Sequence, residues 1–325
     1  MQPFTLLQPT SLDTALAAAR GEDTKFIAGG TDLMQLLKDN VEIPRQLVDL
    51  DGINLTRIMA TPSELRIEAL ARMSDVAAHP EVRQRWPAIS QALEASASPQ
   101  VRNMATIGGN LLQRTRCGYF RDTGFPCNKR ELGSGCPAIG GENRMLAILG
   151  VSDHCIATNA SDLAVALTAL DAVLELRSAG GAQRRVPIAE FYRLPGNSPN
   201  IETVLTPGEM IVAVTVADSA AARNSHYLKL RDRASFEFAL VSAAVGLATR
   251  NGSVADIRVA AGGVGTRPWR LPEVEAALHG RPLNDGALRE ASAKAGAGAQ
   301  PAKQNAFKQI LLRRVVQRAL QTVAA

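Results

Sequence analysis

All four cysteines of this 325-residue chain, Cys117, Cys127, Cys136 and Cys155, fall inside one stretch whose glycines and prolines give it the pattern of neither helix nor strand. Gly118, Gly124, Pro126, Gly133, Gly135, Pro137, Gly140, Gly141 and Gly150 interrupt every periodicity between the first and last cysteine. Compact domains seldom carry a structureless loop longer than about 12–15 residues unless it has a function. The loop therefore needs something to hold it, and four soft thiolates are suited to a shared ligand.

The spacing C-x9-C-x8-C-x18-C bears on what that ligand is. Structural zinc favours C-x2-4-C knuckles, in which one tight turn supplies two ligands, and the chain has none. Two disulfides need an oxidising compartment, yet the first residues, Met1-Gln2-Pro3-Phe4, lack the basic and apolar regions of a secretory signal. The expectation is assembly in the cytoplasm, with the periplasm reached only as a passenger in an exported complex. An iron–sulfur cube accepts thiolates at irregular spacings, because the cluster sets the geometry. Spacing alone favours a [4Fe-4S] cluster and leaves four unrelated free thiols as the principal alternative.

A hydrophobic content of 46% suggests two or three domains with cores of their own, and no apolar run reaches the length of a membrane span. Aromatic residues make up only 4%, and the net charge of +5 is spread among acids, so neither a stacking platform nor a basic stripe for nucleic acid is present.

The first hundred residues read as α+β. Ser11 can cap a helix on Leu12, Ala15, Leu16 and Ala19, and 25–28 is a short strand. Gly29-Gly30 breaks that strand, and Thr31 can cap a helix from Asp32 to Asp39. Strands are expected at 46–50, 55–60 and 65–70, and a helical run from Val76 to Ser96 is broken at Pro80 and Pro87. Beyond the cysteines come a helix from Ser161-Asp162, a hairpin across Gly180-Gly181 and a strand at 210–216. From His226 the texture changes to long apolar strands, two of them joined through Asn251-Gly252, and then to helices from Pro272 and Asn305. A domain boundary is expected near residue 220.

Two glycine pairs carry the second chemical signal. In Lys25-Phe26-Ile27-Ala28-Gly29-Gly30-Thr31-Asp32-Leu33 the missing side chains bare backbone N–H groups at a helix start, where a phosphate is favoured. A plain βα turn is the alternative, since short glycine motifs are weak indicators. Thr106-Ile107-Gly108-Gly109-Asn110 repeats the theme with hydroxyl and amide groups that suit a pyrophosphate. The four histidines, His79, His154, His226 and His279, fit no hydrolase triad or zinc motif, and only His154, beside Cys155, is placed to tune a cluster.

Together these residues resemble the FAD-binding subunits of the molybdenum hydroxylases, the xanthine dehydrogenase and aldehyde oxidoreductase group, over nearly the whole chain. Residues 25–33 look like that family's first pyrophosphate loop, and Val101-Arg102-Asn103-Met104-Ala105-Thr106-Ile107-Gly108-Gly109-Asn110 resembles its second. The resemblance implies a two-part FAD-binding domain of the vanillyl-alcohol-oxidase/PCMH type over 1–220, divided near residue 55, and a C-terminal domain of antiparallel sheet plus helices over 221–325. It further implies FAD contacts from residues 25–33, from Val101, Thr106, Gly108, Gly109, Asn110, Leu112 and Gln113, and from Ser161, Asp162, Val212 and Lys229. Lys25 would neutralise pyrophosphate, Asp162 would accept from ribose hydroxyls, and Lys229 would stabilise a reduced flavin.

Most such subunits lack the cysteine insert. Asn110-Leu111-Leu112-Gln113-Arg114-Thr115-Arg116-Cys117 and Pro126-Cys127-Asn128-Lys129-Arg130 narrow the resemblance to the bacterial three-subunit aldehyde oxidoreductases, whose flavin subunit also binds a [4Fe-4S] cluster. That implies Cys117, Cys127, Cys136 and Cys155 as ligands. It implies a molybdopterin-containing large subunit, a [2Fe-2S] small subunit and an external electron acceptor as partners, since the chain has no C-x4-C-x2-C run of its own. Flavin subunits of 4-hydroxybenzoyl-CoA reductase or xanthine dehydrogenase type are the nearest alternatives. An iron–sulfur module without redox turnover would explain the cysteines but not the paired glycine loops.

Overall fold

The computed structural model describes residues 1–21 and 23–325 and arranges twelve strands in three sheets. The first is small and parallel, with strands β1 (Thr5–Leu7), β2 (Thr24–Ile27) and β3 (Gln46–Asp49) in the order β1-β3-β2. Its register sets Phe26 beside Val48 and Ile27 beside Asp49. The helix Leu12–Ala18, capped by the Ser11 hydroxyl accepting from the Thr14 N–H at 3.2 Å, packs Ala15 and Leu16 against it.

A five-stranded antiparallel sheet follows, with β4 (Ile58–Ala60), β5 (Glu64–Glu68), β6 (Val173–Arg177), β7 (Gln183–Pro187) and β8 (Met210–Ala217) in the order β4-β5-β8-β6-β7. The alternation of Leu65 and Ile67, both inaccessible, turns its apolar face towards the helices Met73–Ala78, Pro80–Arg85 and Pro87–Ala95. The breaks expected at Pro80 and Pro87 are where these helices begin, because each proline occupies a first turn that needs no N–H. The third sheet, β12-β11-β10-β9, joins β9 (Ser225–Leu230), β10 (Val241–Arg250), β11 (Ser253–Gly262) and β12 (Trp269–Arg270). Asn251-Gly252 turns the β10–β11 hairpin with both residues at positive φ, 52° and 75°. The 18-residue helix Phe307–Ala324 covers β10.

The change of texture near residue 220 separates two sheets, and the third sheet has a core of its own in which Val241, Val245 and Val259 pack with Leu312, Val316 and Leu320, yet one apolar cluster also crosses between the sheets. All eight residues of the helix Asp162–Ala169 are buried, since it lies between the helix Pro87–Ala95 and strands β10 and β11. A helix apolar all round needs partners on every side. Tyr227, Ala244 and Ala260 from the third sheet accordingly belong to the same apolar cluster as Leu65 and Ile67 from the second.

Sequence reading missed several short elements, namely β1 and the helices Pro99–Met104, Ile107–Leu111 and Asp285–Ser292 among them. Within the cysteine stretch, expected to be irregular, there is a one-turn helix Gly118–Arg121 and a 3-10 turn Pro137–Ile139. That stretch also has an apolar cluster of its own, in which Phe120, Ala138, Leu146, Ile156 and Ala157 pack with Leu36. Polar clamps complete it. Asn128 Oδ1 accepts from the N–H groups of Gly133 and Gly135 at 3.0 and 2.9 Å, and the Arg130 guanidinium donates to the carbonyls of Tyr119, Phe120 and Phe125.

Candidate functional site: a flavin cleft and a cysteine nest

The first glycine loop leaves the end of β2 and is shaped by two different constraints. A β-carbon on Gly29 would overlap the backbone carbonyl of Met104, which also accepts from the Arg72 guanidinium. Gly30 has φ +67°, a conformation a side chain strains. Thr31 does not cap the helix that follows. The cap position of Leu33–Lys38 is Asp32, whose carboxylate makes no bond to the helix and instead accepts the Arg114 N–H at 2.8 Å.

The second loop hangs on the segment after β5. The N–H groups of Ile107 and Gly108 donate to the carbonyls of Ala71 and Ala69 at 3.0 and 2.8 Å, and Thr106 Oγ1 accepts from Gly109 at 3.2 Å as the cap of Ile107–Leu111. Gly109 does not have the positive φ that a strained turn would show, and a β-carbon there would meet only the Thr106 hydroxyl. The demand for bare backbone is therefore sharpest at Gly29. Both helices are short, six and five residues, so neither has a long macrodipole, and the N–H groups of Ile107, Gly108 and Gly109 in the second loop already donate within the protein.

Between the loops lies a cleft of about 450 Å³, within the range of cofactor sites. All of 25–33 lines it, as do Thr106, Gly108, Gly109, Leu112 and Gln113. Leu50, Leu70, Met210 and Ile211 add an apolar floor, and the irregular segment from Tyr192 to Glu209 forms the opposite wall. Val101, Asn110, Ser161, Asp162, Val212 and Lys229 are not on this lining. Val101 is half-buried on Pro99–Met104, and Val212 is buried with its carbonyl accepting from Ala69 at 3.0 Å. The Ser161 hydroxyl donates to Asn110 Oδ1 at 2.6 Å and accepts from Ala164, tying the second loop to the buried helix. Asp162 accepts from Lys229 Nζ at 2.7 Å, the Tyr227 hydroxyl at 2.5 Å and Ser96 at 3.0 Å. Burial and the neighbouring Asp162 push the Tyr227 phenol far above its ordinary range.

Residues that sequence reasoning did not single out supply most of the charge in the cleft. Lys25 pairs with Glu42 at 3.3 Å, Arg114 bridges Glu42 and Glu202, and Lys129 also holds Glu202. Burial pushes the Glu202 carboxyl up, but Arg114 and Lys129 outweigh it and hold the group below the usual range. The density of basic residues at 114, 116, 121, 129 and 130 is the sequence signal that points to these acids.

The four cysteines line one second, small cavity, with Cys117 and Cys155 buried and Cys127 and Cys136 half-buried. Burial raises the thiols of Cys117 and Cys136 and takes Cys155 to about 11, despite the lowering influence of Lys129 on the last. Backbone N–H groups face the sulfurs: Phe120 and Tyr119 towards Cys117; Ile156, Ala138 and Ile139 towards Cys136; and Ala157 towards Cys155. Among the described residues no three His, Cys, Asp or Glu side chains converge closely enough to hold a single metal ion. Lys129, Cys155 and Ala157 border both cavities. The His154 side chain is exposed, and its carbonyl accepts from Asn128 at 3.0 Å.

With this geometry in hand, residues 2–217 match the FAD binding domain in molybdopterin dehydrogenase, and residues 226–323 match the CO dehydrogenase flavoprotein C-terminal domain. The chain belongs to the FAD-binding subunits of the molybdenum hydroxylases. Within this family it is 47% identical over 308 residues to the aldehyde oxidoreductase FAD-binding subunit PaoB of Escherichia coli (strain K12), covering 94% of this chain and 93% of that one. It is 28% identical to the glyceraldehyde dehydrogenase medium chain of Sulfolobus acidocaldarius, over 92% of this chain and 89% of the other. A solved carbon monoxide dehydrogenase from Hydrogenophaga pseudoflava superposes with a TM-score of 0.77 at 26% identity, over 99% of this chain and 97% of that one. The two-domain flavin-subunit fold is thus the fold of this chain, and FAD is its cofactor.

Proposed function

We propose that this chain is the electron-collecting subunit of a three-part molybdenum aldehyde oxidoreductase, working with a molybdopterin-containing large subunit, a [2Fe-2S] small subunit and an external acceptor. The observation that carries this reading is the convergence of both glycine loops on one cleft, in a chain 47% identical to a subunit named for aldehyde oxidation. Bound FAD supplies the redox chemistry, taking electrons from a partner and passing them on. The protein's part is position and electrostatics. Gly29 and Gly30 bring bare backbone to the cofactor, Lys25 offers a cation at the pyrophosphate loop, and Leu50, Leu70 and Ile211 exclude water from the floor.

The same reading takes Cys117, Cys127, Cys136 and Cys155 as the ligands of a [4Fe-4S] cluster. Supporting it are the shared cavity and the N–H groups aimed at three of the sulfurs, which suit thiolates in an iron–sulfur site. The raised thiols mean that loading must release protons, so assembly is favoured as pH rises. Ser161, Asp162 and Lys229 then act on the flavin by holding the second loop and the buried helix in place.

Anaerobic purification tests both halves. The chain should contain about one FAD, about four irons and about four labile sulfides. Zinc with intact flavin would remove the cluster alone, whereas absence of flavin would remove the subunit assignment.

A further inference from the structure

Asp32 lies in the first flavin loop, yet its carboxylate belongs to the cysteine stretch. Oδ1 accepts from Arg116 at 2.9 Å and from Arg121 at 2.7 Å, while Oδ2 accepts the Arg114 N–H at 2.8 Å. Side chains at a helix start ordinarily bond the helix itself. Here that local bond is absent, and the carboxylate faces away to two guanidinium groups some ninety positions along the chain. A second link runs beside the first. Gln35 donates to the Thr31 carbonyl at 3.0 Å and accepts from Arg116 at 3.1 Å, so Arg116 holds the exit of the Gly29-Gly30 turn by two routes.

The basic partners are in turn fixed by the cysteine stretch. Arg121 ends the one-turn helix Gly118–Arg121, whose first carbonyl acceptor is Cys117, and its guanidinium also donates to the carbonyls of Thr115 and Arg114. Arg116 immediately precedes Cys117 and lies over the Phe238 ring, 4.9 Å from its centroid. Asp32 and Arg121 are each 16% exposed, which shields the pair from solvent far better than a surface contact. Any movement that displaces Cys117 carries the arginines with it and releases Asp32.

We propose that Arg116 and Arg121 are positioning residues for FAD, and that through Asp32 the order of the cysteine stretch and the retention of the flavin are thermodynamically coupled. This rests on the flavin reading of the cleft and not on what the cysteines hold. Neither arginine lines the cleft, so neither acts by touching the cofactor. Coupling of this kind is reciprocal: an ordered cysteine stretch tightens FAD binding, and bound FAD orders the stretch.

The test uses the full-length chain, stripped of flavin and titrated with FAD, with limited proteolysis between residues 117 and 155 as a second readout. Arg121→Met and Arg116→Met should each weaken FAD binding about five- to twentyfold, in the range of measured couplings. Arg121→Lys, which keeps the charge on Asp32, should recover part of the loss. In the unaltered chain, added FAD should slow cleavage of the cysteine stretch, and in Arg121→Met it should not. Unchanged FAD affinity in both methionine variants, or cleavage of the unaltered chain indifferent to FAD, would overturn the coupling while leaving the flavin site intact. An unaltered chain that binds no FAD would overturn both. The protection measurement needs no variant, so a misfolded substitution cannot obscure the answer.

Discussion

Lys229 Nζ stands 2.7 Å from Asp162 Oδ2, and the two side chains are 3% and 7% exposed. Strand β9 and the buried helix Asp162–Ala169 meet at this pair, which the Tyr227 hydroxyl and Ser96 complete. The resemblance implies a contact with the cofactor for each residue. In the structure they satisfy one another, and the ion pair joins the flavin half of the molecule to the C-terminal sheet.

Removing one member leaves a buried charge without its counterpart, so Lys229→Met should destabilise the chain by about 3–5 kcal/mol. The double variant Asp162→Leu with Lys229→Met should regain part of that, because no uncompensated charge remains. Urea unfolding of the single and double variants measures the coupling. Additive losses would show that the two side chains do not act as a pair.

Gly29 is the glycine at which the flavin loops should be least tolerant. Gly29→Ala drives a methyl group into the Met104 carbonyl and must push the first loop away from the second. Gly30→Ala adds the strain of a positive φ, about 1–2 kcal/mol, and a 3.0 Å approach to the flexible Met34 side chain, which can move aside. Flavin extracted from the purified variants should fall sharply for Gly29→Ala and modestly for Gly30→Ala. Equal flavin content in the two would mean that the close approach to Met104 does not shape the site.

The glycine loops, the proline-started helices and the Asn251-Gly252 hairpin were legible because each is local: a few consecutive residues dictate the backbone. Asp32 shows what was not. Its place after Gly-Gly-Thr suggested a helix start or a cofactor contact, but its partners are Arg116 and Arg121, which only the folded cysteine stretch delivers. Glu202 is a similar case: the basic residues between 114 and 130 signal that acids must meet them, but only the fold shows that Glu202 is the one beside Arg114 and Lys129. The apolar character of Phe120, Leu146 and Ile156 was hidden by the glycines and prolines between them.

Lys308 is a second long-range feature with a measurable consequence. Its wholly buried amine donates to the carbonyls of Met145, Leu146 and Gly263 at 2.9, 3.1 and 2.7 Å, fastening the C-terminal helix to the segment before Cys155. Lys308→Met takes this donor from all three, but Leu146 keeps Asn305 and Met145 keeps Thr158, so the Gly263 carbonyl is the one left unsatisfied and the cost should be about 1–3 kcal/mol. Burial, with Arg144 adding to it, pushes the amine down to about 7. Between about pH 7 and the ordinary lysine value near 10.4 the unfolded chain therefore binds more protons than the folded one, and stability should rise with pH across that window. Denaturation midpoints at about pH 7 and about pH 9 should show this slope in the unaltered chain and lose it in Lys308→Met. The same slope in both would remove Lys308 as its source.

If the four cysteines hold the proposed cluster, Cys136→Ser should abolish iron binding, because a hydroxyl is a poor substitute for a thiolate. The stretch should loosen without unfolding, since Asn128, Arg130 and the Phe120 cluster still hold it. Iron analysis with proteolytic mapping separates the two effects. Full iron content in this variant would exclude Cys136 as a ligand.

If this subunit collects electrons that a partner extracts from an aldehyde, the colour of its flavin reports it directly. With aldehyde added anaerobically, the flavin of the isolated chain should stay oxidised, and in the assembled complex it should bleach and recover when the external acceptor is supplied. Bleaching in the isolated chain, or a flavin that stays oxidised in a complex whose partner centres are reduced, would mean that this subunit does not collect electrons from a partner.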